Sequence, residues 1–547
     1  MTTTAHTSFA ATTTRSSSTN NTITPKELVL IGGGHAHVHV LKELADPMGE
    51  YYHEIHDINV TCISKDIQTP YSGMLPGYIS GHYTLDEIHV DLQKLLAKSK
   101  IKLLHASVVE IISNNNDKDD KNVSDKDEKV GRTGTGGGYV RIDDEKHPLI
   151  RYDCLSINVG SAPSSVISSS QIPSPSSSPS PSKSTSQRLS YTTRVIPVKP
   201  ISQFSKYYES LKLRIQQRVE RLAREREQQQ NPSLSQPSNP PPQTPPQQEH
   251  TIAVVGGGAG GVELACSIQY KLQQIIEEEQ RNHSGSQSSP QPPLVLKLTV
   301  MIVTRSHTIL EEHNWLVQKL YQRVLSGRNI EVVYNTQVID VVIEENNTSA
   351  DSVTTNDDKV ELIVKNTTTT TNAGTDDNTA TRKIVVDDCL LCTSASGPAW
   401  LTTNTPFETT PGGGFVKVED TYQVVDFPGV FACGDCSHMV TNPRPKAGVF
   451  AVRAGPYILK NVISYLTNPT QDALTKHVPQ TTFLGILSTG DKYAIASKGS
   501  YFAVQGKWVW HWKDYIDRTW MEQYSTNTNT QTTKTNTNAD ADADAST

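Results

Sequence analysis

The chain has 547 residues, a formal net charge of −7 and a hydrophobic content of 35%. The charge gives no sign of a nucleic-acid-binding surface, because acidic residues interleave with the basic ones in the only cationic stretch, 212–226. The shortage of apolar residues is concentrated in tracts of Ser, Thr, Asn, Asp, Pro, Gln or Gly at residues 1–25, 113–138, 163–190, 227–250, 280–293, 345–382 and 524–547. Such tracts cannot bury enough apolar surface to offset the entropy of ordering, so we predict disordered insertions and tails. About 370 residues remain, enough for two or three domains.

The distribution of apolar residues and cysteines excludes two further classes. No apolar run reaches 18 residues, which predicts that no transmembrane helix is present. Seven cysteines spread over the chain do not make a secreted disulfide framework. Residues 1–25 contain Arg15 and no acidic residue, a composition that fits either an organelle transit peptide or a plain polar tail.

A glycine-rich turn opens the first folded segment. Leu28–Ile31 is an apolar run typical of a buried parallel strand, and Gly32-Gly-Gly-His-Ala-His37 follows it directly. Gly32 and Gly34 fit the pattern G-x-G-x-x-G, whereas His37 stands at the third glycine position. A helix is predicted from His35 to about Leu44, and its N-terminus can hold a pyrophosphate.

The next elements complete one doubly wound half. Ile58–Ser64, Lys102–Ile112 and Tyr152–Gly160 have the composition of strands, and Leu85–Leu96 has the pattern of one amphipathic helix. Apolar residues at 3.6-residue spacing predict a further helix over Ile201–Arg226.

A second glycine-rich turn starts another βαβ unit. Thr251–Val255 is the apolar strand, and the turn after it matches G-x-G-x-x-G completely. Gly256 allows the tight turn, Gly258 lets the backbone approach the phosphates, and Gly261 lets helix and strand pack closely. Leu296–Val303 is predicted as the second strand of this half.

Later segments repeat the pattern of the first half. Asp388–Cys392 corresponds to the buried strand ending at Gly160, and Gly429-Val-Phe-Ala-Cys-Gly-Asp435 returns to the first half. The predicted fold is therefore α/β, with two Rossmann-like, doubly wound dinucleotide-binding domains, the first of them discontinuous, and a smaller C-terminal region. Two turns predict two dinucleotides and electron transfer between them.

The order of these motifs resembles the two-dinucleotide flavoproteins of the pyridine nucleotide–disulfide oxidoreductase superfamily. Four segments are similar to the flavoprotein branch that is often fused ahead of selenide, water dikinase, a branch related to type II NADH dehydrogenases. These segments are Gly32–His37, Pro70-Tyr-Ser-Gly-Met-Leu-Pro-Gly77, Pro445-Lys-Ala-Gly-Val-Phe-Ala-Val-Arg453 and Leu487-Ser-Thr-Gly-Asp-Lys-Tyr-Ala494. No kinase-type segment follows them in this sequence, so the chain itself offers no support for a link to selenium.

The resemblance implies roles for individual residues. FAD would lie on the first turn, with Asp435 on its ribityl chain, and would contact Gly32, Gly34, His35, Ala36, Asp435, Ala447 and Gly448. NADH or NADPH would lie on the second turn and contact Gly256, Gly258, Gly261, Glu263 and Arg305. Flavin-adjacent candidates are Pro70, Tyr71 and Lys446, although Lys446 could equally be an ordinary surface lysine. The domains implied are a tail (1–25), FAD-binding segments (26–200 and 396–470), a helix and linker (201–250), an NAD(P)-binding domain (251–395), a C-terminal region (471–523) and a second tail (524–547).

The sequence departs from the disulfide reductases of this superfamily. The stretch Thr69–Pro76, where those enzymes carry a redox cysteine pair, contains no cysteine. Cys389 and Cys392 form a CxxC motif on a strand whose alternation turns them away from one another, and Cys433 and Cys436 flank Asp435. We predict that these cysteines are small buried hydrophobic residues and that they form no metal site.

The resemblance implies an FAD-dependent NAD(P)H oxidoreductase that passes electrons to a second acceptor, with a quinone as candidate. The alternative is a redox-responsive flavoprotein of the apoptosis-inducing-factor type that acts through binding partners. Arg305, just after a strand, would suit the 2′-phosphate of NADPH, but a solvated arginine is equally expected there. The compartment is expected to be the cytoplasm, a mitochondrion or a plastid.

The C-terminal stretch Trp508–Trp520 has an aromatic stripe. Trp508, Trp512, Ile516 and Trp520 recur every four residues, as on one face of a helix. Such a helix can lie in a membrane interface as a peripheral contact, or can pack on a neighbouring domain or on the second copy in a homodimer. The sequence leaves these alternatives open.

Overall fold

The structure is a computed structural model that describes residues 24–46, 57–113, 137–144, 146, 149–163, 194–230, 248–283, 295–344, 359–367, 381–469 and 473–525. Most of the predicted polar tracts lie outside these residues. Several predicted tracts are too long, because strands begin within them at Gly138, Gln248 and Lys359 and helices end within them at Gln230 and His283. Among the described helices, none combines the length and the apolar character needed to cross a bilayer.

The helices of the described residues are α1 (His35–Ala45), α2 (Leu75–Ile79), α3 (Leu92–Leu96), α4 (Ile201–Gln230), α5 (Ala259–His283), α6 (Trp315–Gly327), α7 (Ala399–Thr403), α8 (Gly448–Thr467) and α9 (Lys507–Glu522). The strands of the first half are β1 (Lys26–Ile31), β2 (Ile58–Ser64), β3 (Gln68–Pro70), β4 (His89–Asp91), β5 (Lys102–His105), β6 (Val108–Ser113), β7 (Gly138–Ile142), β8 (Leu149–Tyr152), β9 (Cys154–Ile157) and β10 (Ala162–Pro163). Those that follow are β11 (Val195–Pro197), β12 (Gln248–Val255), β13 (Leu296–Val303), β14 (Ile330–Val333), β15 (Thr336–Glu344), β16 (Lys359–Asn366), β17 (Arg382–Val386), β18 (Asp388–Leu391), β19 (Ala395–Ser396), β20 (Val416–Val418), β21 (Val430–Ala432), β22 (Ser437–Met439), β23 (Leu484–Ser488), β24 (Ala494–Lys498) and β25 (Phe502–Gly506).

Two parallel five-stranded sheets have matching strand orders. The first sheet is ordered β21-β9-β1-β2-β5 and the second β11-β18-β12-β13-β14. In each, the strand before the glycine turn, β1 or β12, is central and largely buried, as its continuous apolar sequence predicts. The fold is therefore mixed α/β with two Rossmann-like sheets, which confirms the predicted fold class.

The second sheet is inserted in the chain between strands of the first sheet. β21, the edge strand of the first sheet, comes after the whole second sheet, and β11, the edge strand of the second, comes before β12. A two-stranded antiparallel ribbon of β10 and β19 also joins the segments that leave the two sheets. The two glycine turns are consequently held in one connected frame.

Smaller antiparallel sheets complete each half. In the chain, β6-β7-β8 is inserted between β5 and β9 of the first sheet, and β15-β16-β17 between β14 and β18 of the second. A third, β23-β24-β25, carries the C-terminal helix α9, whose Val509 and Trp510 pack in a small core with the sheet.

One predicted helix is wrong. The segment Leu85–Leu96 contains the strand β4, which pairs with β3, and only its last five residues are the helix α3. Ile88, Val90 and Leu92 are all buried, so the apolar residues alternate with a period of two across the strand. In so short a segment, the apolar positions fit both a strand and a helix, and the pairing with β3 favours the strand.

Candidate functional site

The first glycine turn is shaped by the end of β9. Gly32 has φ +88°, and a Cβ atom there would lie 2.4 Å from the carbonyl oxygen of Asn158. A Cβ atom on Gly34 would lie 2.4 Å from the side-chain amide of the same Asn158. That amide, oriented with its oxygen towards α1, accepts hydrogen bonds from the backbone N–H groups of Ala36 (3.0 Å) and His37 (3.2 Å). Asn158 thus fixes the turn, a role that no sequence motif indicated.

His37 explains the departure from the third glycine. Its Nδ1 donates to the carbonyl oxygen of Gly32 at 2.7 Å, so its Nε2 accepts from the hydroxyl of Ser156, 2.8 Å away. Burial lowers the pKa of His37 to about 4, which keeps the imidazole neutral at physiological pH. The side chain ties α1 to both the turn and β9, where a glycine would only allow close packing.

His35, at the start of α1, faces the aromatic residues of two other segments. Its ring centroid lies 5.3 Å from that of Tyr71 and 5.2 Å from that of Trp520. The buried Nε2 of His35 has no hydrogen-bond partner among the described residues. Burial also lowers the pKa of His35 to about 4. An orphaned buried nitrogen at the mouth of a dinucleotide turn marks a position where a ligand could supply the missing bond.

Asp435 lies in the turn after β21 and is held by a residue that the sequence did not single out. The ammonium nitrogen of Lys199 lies 3.1 Å from a carboxylate oxygen of Asp435 and donates to the hydroxyl of Ser161 at 2.6 Å. Lys199 lies between β11, the edge strand of the second sheet, and α4, so this ion pair joins the second half of the fold to the first sheet. Both side chains retain partial exposure, which leaves the second carboxylate oxygen accessible to a ligand.

The N-terminus of α8 lies beside the Pro70–Tyr71 segment. A Cβ atom on Gly448 would lie 3.5 Å from the hydroxyl oxygen of Ser72, and the N-cap residue Ala447 makes no side-chain cap. Pro70 ends β3, and Tyr71 follows it directly. The uncapped N–H groups of α8 therefore face the side of the first turn that carries these two residues.

Lys446, just before α8, turns towards the protein. Its ammonium group donates to the carbonyl oxygen of Ser437 and lies 4.2 Å from the ring centroid of Phe415. Burial lowers the pKa of Lys446. This is the environment of a positioned cation and not of a freely solvated surface lysine.

In the second glycine turn, the protein's own backbone requires glycine at positions 256 and 261 but not at position 258. A Cβ atom on Gly256, where φ is +131°, would lie 2.2 Å from the carbonyl oxygen of Cys392. One on Gly261 would lie 2.0 Å from the carbonyl oxygen of Gly256. No atom lies within 4 Å of the position that a Cβ on Gly258 would take. The protein itself therefore does not require glycine at 258, whereas an approaching phosphate would.

Glu263 and Arg305 border this second turn. The carboxylate of Glu263 accepts from the backbone N–H of Ser488 at 2.6 Å. Burial raises its pKa to about 7, against the opposing effect of the nearby Lys513 ammonium. Arg305 follows β13 at the same sheet edge as the turn, and its side chain is exposed.

Helix α9 connects the surroundings of both turns. Lys513 donates to the carbonyl oxygen of Gly73 at 2.6 Å and pairs with Asp517 at 2.5 Å. Asp517 accepts from the hydroxyl of Tyr71 at 3.1 Å, and Trp520 stacks on the Tyr71 ring with centroids 4.5 Å apart. The inner face of α9 is therefore rich in charged groups that are paired with the protein.

The outer face of α9 is aromatic. Trp508 is 56% exposed and Trp512 38%, and the two indoles stack at 6.5 Å, while Tyr515 and Ile516 are exposed beside them. The predicted stripe thus divides, because Trp520 turns inward to Tyr71 and the other members face outward. Helix α9 therefore presents apolar side chains both inward, with Val509 and Trp510, and outward, with Trp508 and Trp512.

The cysteines lie in apolar surroundings. All seven are free thiols. Cys389 packs in the core between the second sheet and its antiparallel sheet, whereas Cys392 packs on the opposite side. Burial raises the pKa of Cys392 to about 12 and that of Cys436 to about 11, so neither is a thiolate at neutral pH. Within the described ranges, no group of three or more His, Cys, Asp or Glu side chains is arranged to hold a metal ion.

Comparison with known proteins agrees with this architecture. Residues 212–455 match the family model described as pyridine nucleotide-disulphide oxidoreductase. The sulfide:quinone oxidoreductase of Aquifex aeolicus is 15% identical to this chain. The alignment covers 91% of each chain, with a TM-score of 0.56. NDH2 of Plasmodium falciparum, solved with NADH, is 12% identical, covers 91% of this chain and 98% of its own, and superposes with a TM-score of 0.52. No curated protein matches the chain.

Two parallel sheets, each with a glycine-rich turn at the carboxyl end of its central strand, define an α/β protein with two Rossmann-like halves. Over residues 212–455 the chain is similar to the pyridine nucleotide-disulphide oxidoreductases, and the likeness to the two solved structures extends the same fold over most of the chain.

Proposed function

We propose that the protein is an FAD-dependent NAD(P)H oxidoreductase that passes electrons to a second acceptor, for which we favour a quinone. The observation that supports the proposal is that two glycine-rich turns with different surroundings lie on two connected parallel sheets. The first turn has Asp435 and the uncapped N-terminus of α8 beside it, and the second has the open position at Gly258.

The residues around the first turn fit FAD. Gly32 and Gly34 expose backbone at the start of α1, which suits a pyrophosphate. The accessible oxygen of Asp435 would accept hydrogen bonds from ribityl hydroxyls, and the orphaned Nε2 of His35 offers a further polar contact. An FAD held by these residues would supply the chemistry of hydride uptake from NAD(P)H and of transfer of two electrons, with release of the proton, to the acceptor.

The residues around the second turn fit NAD(P)H. The first N–H groups of α5 follow Gly258 and would contact the pyrophosphate of the nucleotide. Glu263 lies one turn further along α5, on the side that faces α9, where it would help to position the nicotinamide end. The exposed Arg305 would reach the adenosine end and favour NADPH over NADH.

The name of the Aquifex protein and the outward aromatic face of α9 support a quinone acceptor at a membrane surface. Trp and Tyr side chains are well suited to the lipid–water interface, because an apolar ring and a polar tip are combined in each. Trp508, Trp512 and Tyr515 would then contact lipid, while Trp520 and Tyr71 would lie between the membrane and the flavin.

An anaerobic titration tests the core of the proposal. Purified protein should be yellow, and stepwise addition of NADH and of NADPH should bleach the flavin absorbance at one equivalent of the preferred nucleotide. A subsequent addition of ubiquinone-1 should restore the absorbance. Protein that binds no flavin, or whose flavin neither nucleotide reduces, would refute the proposed function.

A further inference from the structure

Lys199 lies between the carboxyl ends of the two parallel sheets. It follows β11 of the second sheet, and the N–H of Val198 donates to the carbonyl oxygen of Leu391, the last residue of β18, at 3.2 Å. Its ammonium group reaches the first sheet, where it pairs with Asp435, after β21, and donates to Ser161, after β9. Both glycine turns begin at the carboxyl ends of strands in these sheets, so Lys199 lies on the same edge as each of them.

Cys392 relates the Lys199 charge to the second glycine turn. A Cβ atom on Gly256 would lie 3.4 Å from the Cβ atom of Cys392, and one on Gly261 would lie 3.5 Å from it, so Cys392 forms one wall of the turn. Burial raises the pKa of the Cys392 thiol to about 12, and the ammonium of Lys199 opposes this rise. Because such an effect falls off with distance, the ammonium lies near the thiol and hence near the backbone that would hold a pyrophosphate.

Asp435 does not cancel the positive charge at this place. It pairs with Lys199 at 3.1 Å, but the ammonium of Lys446 acts on the same carboxylate. Burial lowers the pKa of Lys446, Asp435 opposes that effect and Lys199 adds to it, as expected when the three charges interact. Two ammonium groups and one carboxylate leave one positive charge in excess. The side chain of Lys199 also stays 36% exposed, so a ligand can approach it.

We propose that Lys199 serves both dinucleotide sites: it positions the Asp435 carboxylate for FAD at the first, and its ammonium attracts the pyrophosphate of NAD(P)H at the second. The inference rests on the proposed function and adds a residue to its second site. An ammonium group is a compact point charge on a flexible stem, so it can keep its bond to Asp435 and still attract a nearby phosphate. No covalent bond changes and no proton is transferred in this role.

ADP-ribose tests the role at the second site without turnover. It carries the pyrophosphate and has no nicotinamide ring that could stack on a flavin. In isothermal titrations with FAD present at saturation, we expect Lys199→Gln to raise the Kd for ADP-ribose about tenfold at low ionic strength, and Lys199→Arg to keep most of the affinity. The difference between Lys199→Gln and wild type should shrink at 0.5 M salt, because the attraction is screened. A difference that does not depend on salt would contradict a role for the charge.

Asp435→Asn separates a direct effect of Lys199 from an effect that passes through the first site. This variant removes the partner of Lys199 and keeps the ammonium, so we expect weaker FAD binding but ADP-ribose binding at least as tight as in wild type. Lys417→Gln is the matched control, because Lys417 pairs with Glu408 and not with a residue of either site, and it should match wild type for both ligands. Thermal melts of every variant identify any change that results from unfolding.

The outcomes distinguish this inference from the proposed function. If Lys199→Gln weakens FAD binding alone, Lys199 serves only the first site and the inference is wrong. The inference is equally wrong if Asp435→Asn weakens ADP-ribose binding as much as Lys199→Gln does. In both cases, a wild-type protein whose FAD is reduced by NAD(P)H retains the proposed function. A wild-type protein that binds neither FAD nor ADP-ribose loses the proposed function, and the inference with it.

Discussion

The ammonium group of Lys199 lies 3.1 Å from the carboxylate of Asp435, although 236 residues separate the two in the chain. The pair joins the segment that follows β11 of the second sheet with the turn that follows the last strand of the first sheet. The ion pair uses one carboxylate oxygen of Asp435, whose side chain stays 22% exposed, and it limits the orientations of the carboxylate. This geometry prepares Asp435 to accept ligand hydroxyls at little entropic cost.

Removal of the Asp435 carboxylate should weaken FAD binding. We expect Asp435→Ala to raise the Kd for FAD by about 10- to 100-fold, since a charge-assisted hydrogen bond contributes about 1.5–3 kcal/mol. Fluorescence titration of the flavin-free protein with FAD measures this change. Glu408→Ala, which removes a surface carboxylate paired with Lys417, is the control and should leave the Kd unchanged. Full FAD affinity in Asp435→Ala would contradict the assignment.

A side chain at Gly258 should block the nucleotide and spare the fold. Gly258→Val places its side chain in open space, so the melting temperature and flavin content should stay near wild type while reduction of the flavin by NAD(P)H slows at least a hundredfold. Gly261→Val, in contrast, would collide with the Gly256 carbonyl and should unfold the second half. Stopped-flow absorbance and thermal melts distinguish the two effects. Loss of FAD with intact reduction by NAD(P)H would reverse the assignment of the two turns.

Thiol chemistry should be dispensable. Burial holds the thiols of Cys392 and Cys436 protonated, so replacing either with Ala should leave turnover per flavin-bound molecule within about threefold of wild type. Some stability could be lost with the packing, which a urea titration would report separately. A hundredfold fall in turnover, about 2.7 kcal/mol in the barrier, would instead reveal a thiol relay.

Glu263 should make stability depend on pH near neutrality. Its folded-state pKa of about 7 lies above the value of 4.5 for an unfolded glutamate, so the folded state keeps the proton to higher pH, and the stability that this gives at low pH is lost as pH rises from the unfolded pKa to the folded pKa. The free energy of unfolding of wild type, relative to Glu263→Gln, should therefore fall between pH 5 and pH 8 by about 2–3 kcal/mol, most of it below pH 7. Urea unfolding at both pH values measures the difference. A constant difference between the two proteins would show that Glu263 has an ordinary pKa.

The sequence was sufficient for the features that depend on local pattern. Apolar runs followed by glycines predicted β1, β12 and both dinucleotide turns, because a buried parallel strand and a phosphate-binding turn impose their own residue types. It was insufficient where a partner came from a distant segment. Asn158 contacts the first turn and Lys199 pairs with Asp435 through contacts that only the folded chain creates, so the sequence indicated neither role. The helix predicted over Leu85–Leu96 was wrong for the same reason, because β4 within this segment pairs with β3, which the local spacing of apolar residues does not show.

The aromatic outer face of α9 should bind membranes independently of the flavin site. Trp508→Ser/Trp512→Ser removes exposed indoles that make no contact with the first turn, so FAD content and reduction of the flavin by NAD(P)H should remain normal. Sedimentation with liposomes and activity with a lipophilic quinone should both fall, because the indoles would otherwise anchor the helix in the interface. Trp520→Ala provides the contrast: it removes the ring stacked on Tyr71 and should lower stability or FAD retention, with about 3 kcal/mol or more lost for a packed indole. Wild-type protein that ignores liposomes of every composition would assign the outer face to a second copy of the chain or to another protein. In that case the concentration dependence of its sedimentation would identify the homodimer, because the double variant would then be monomeric where wild type is not.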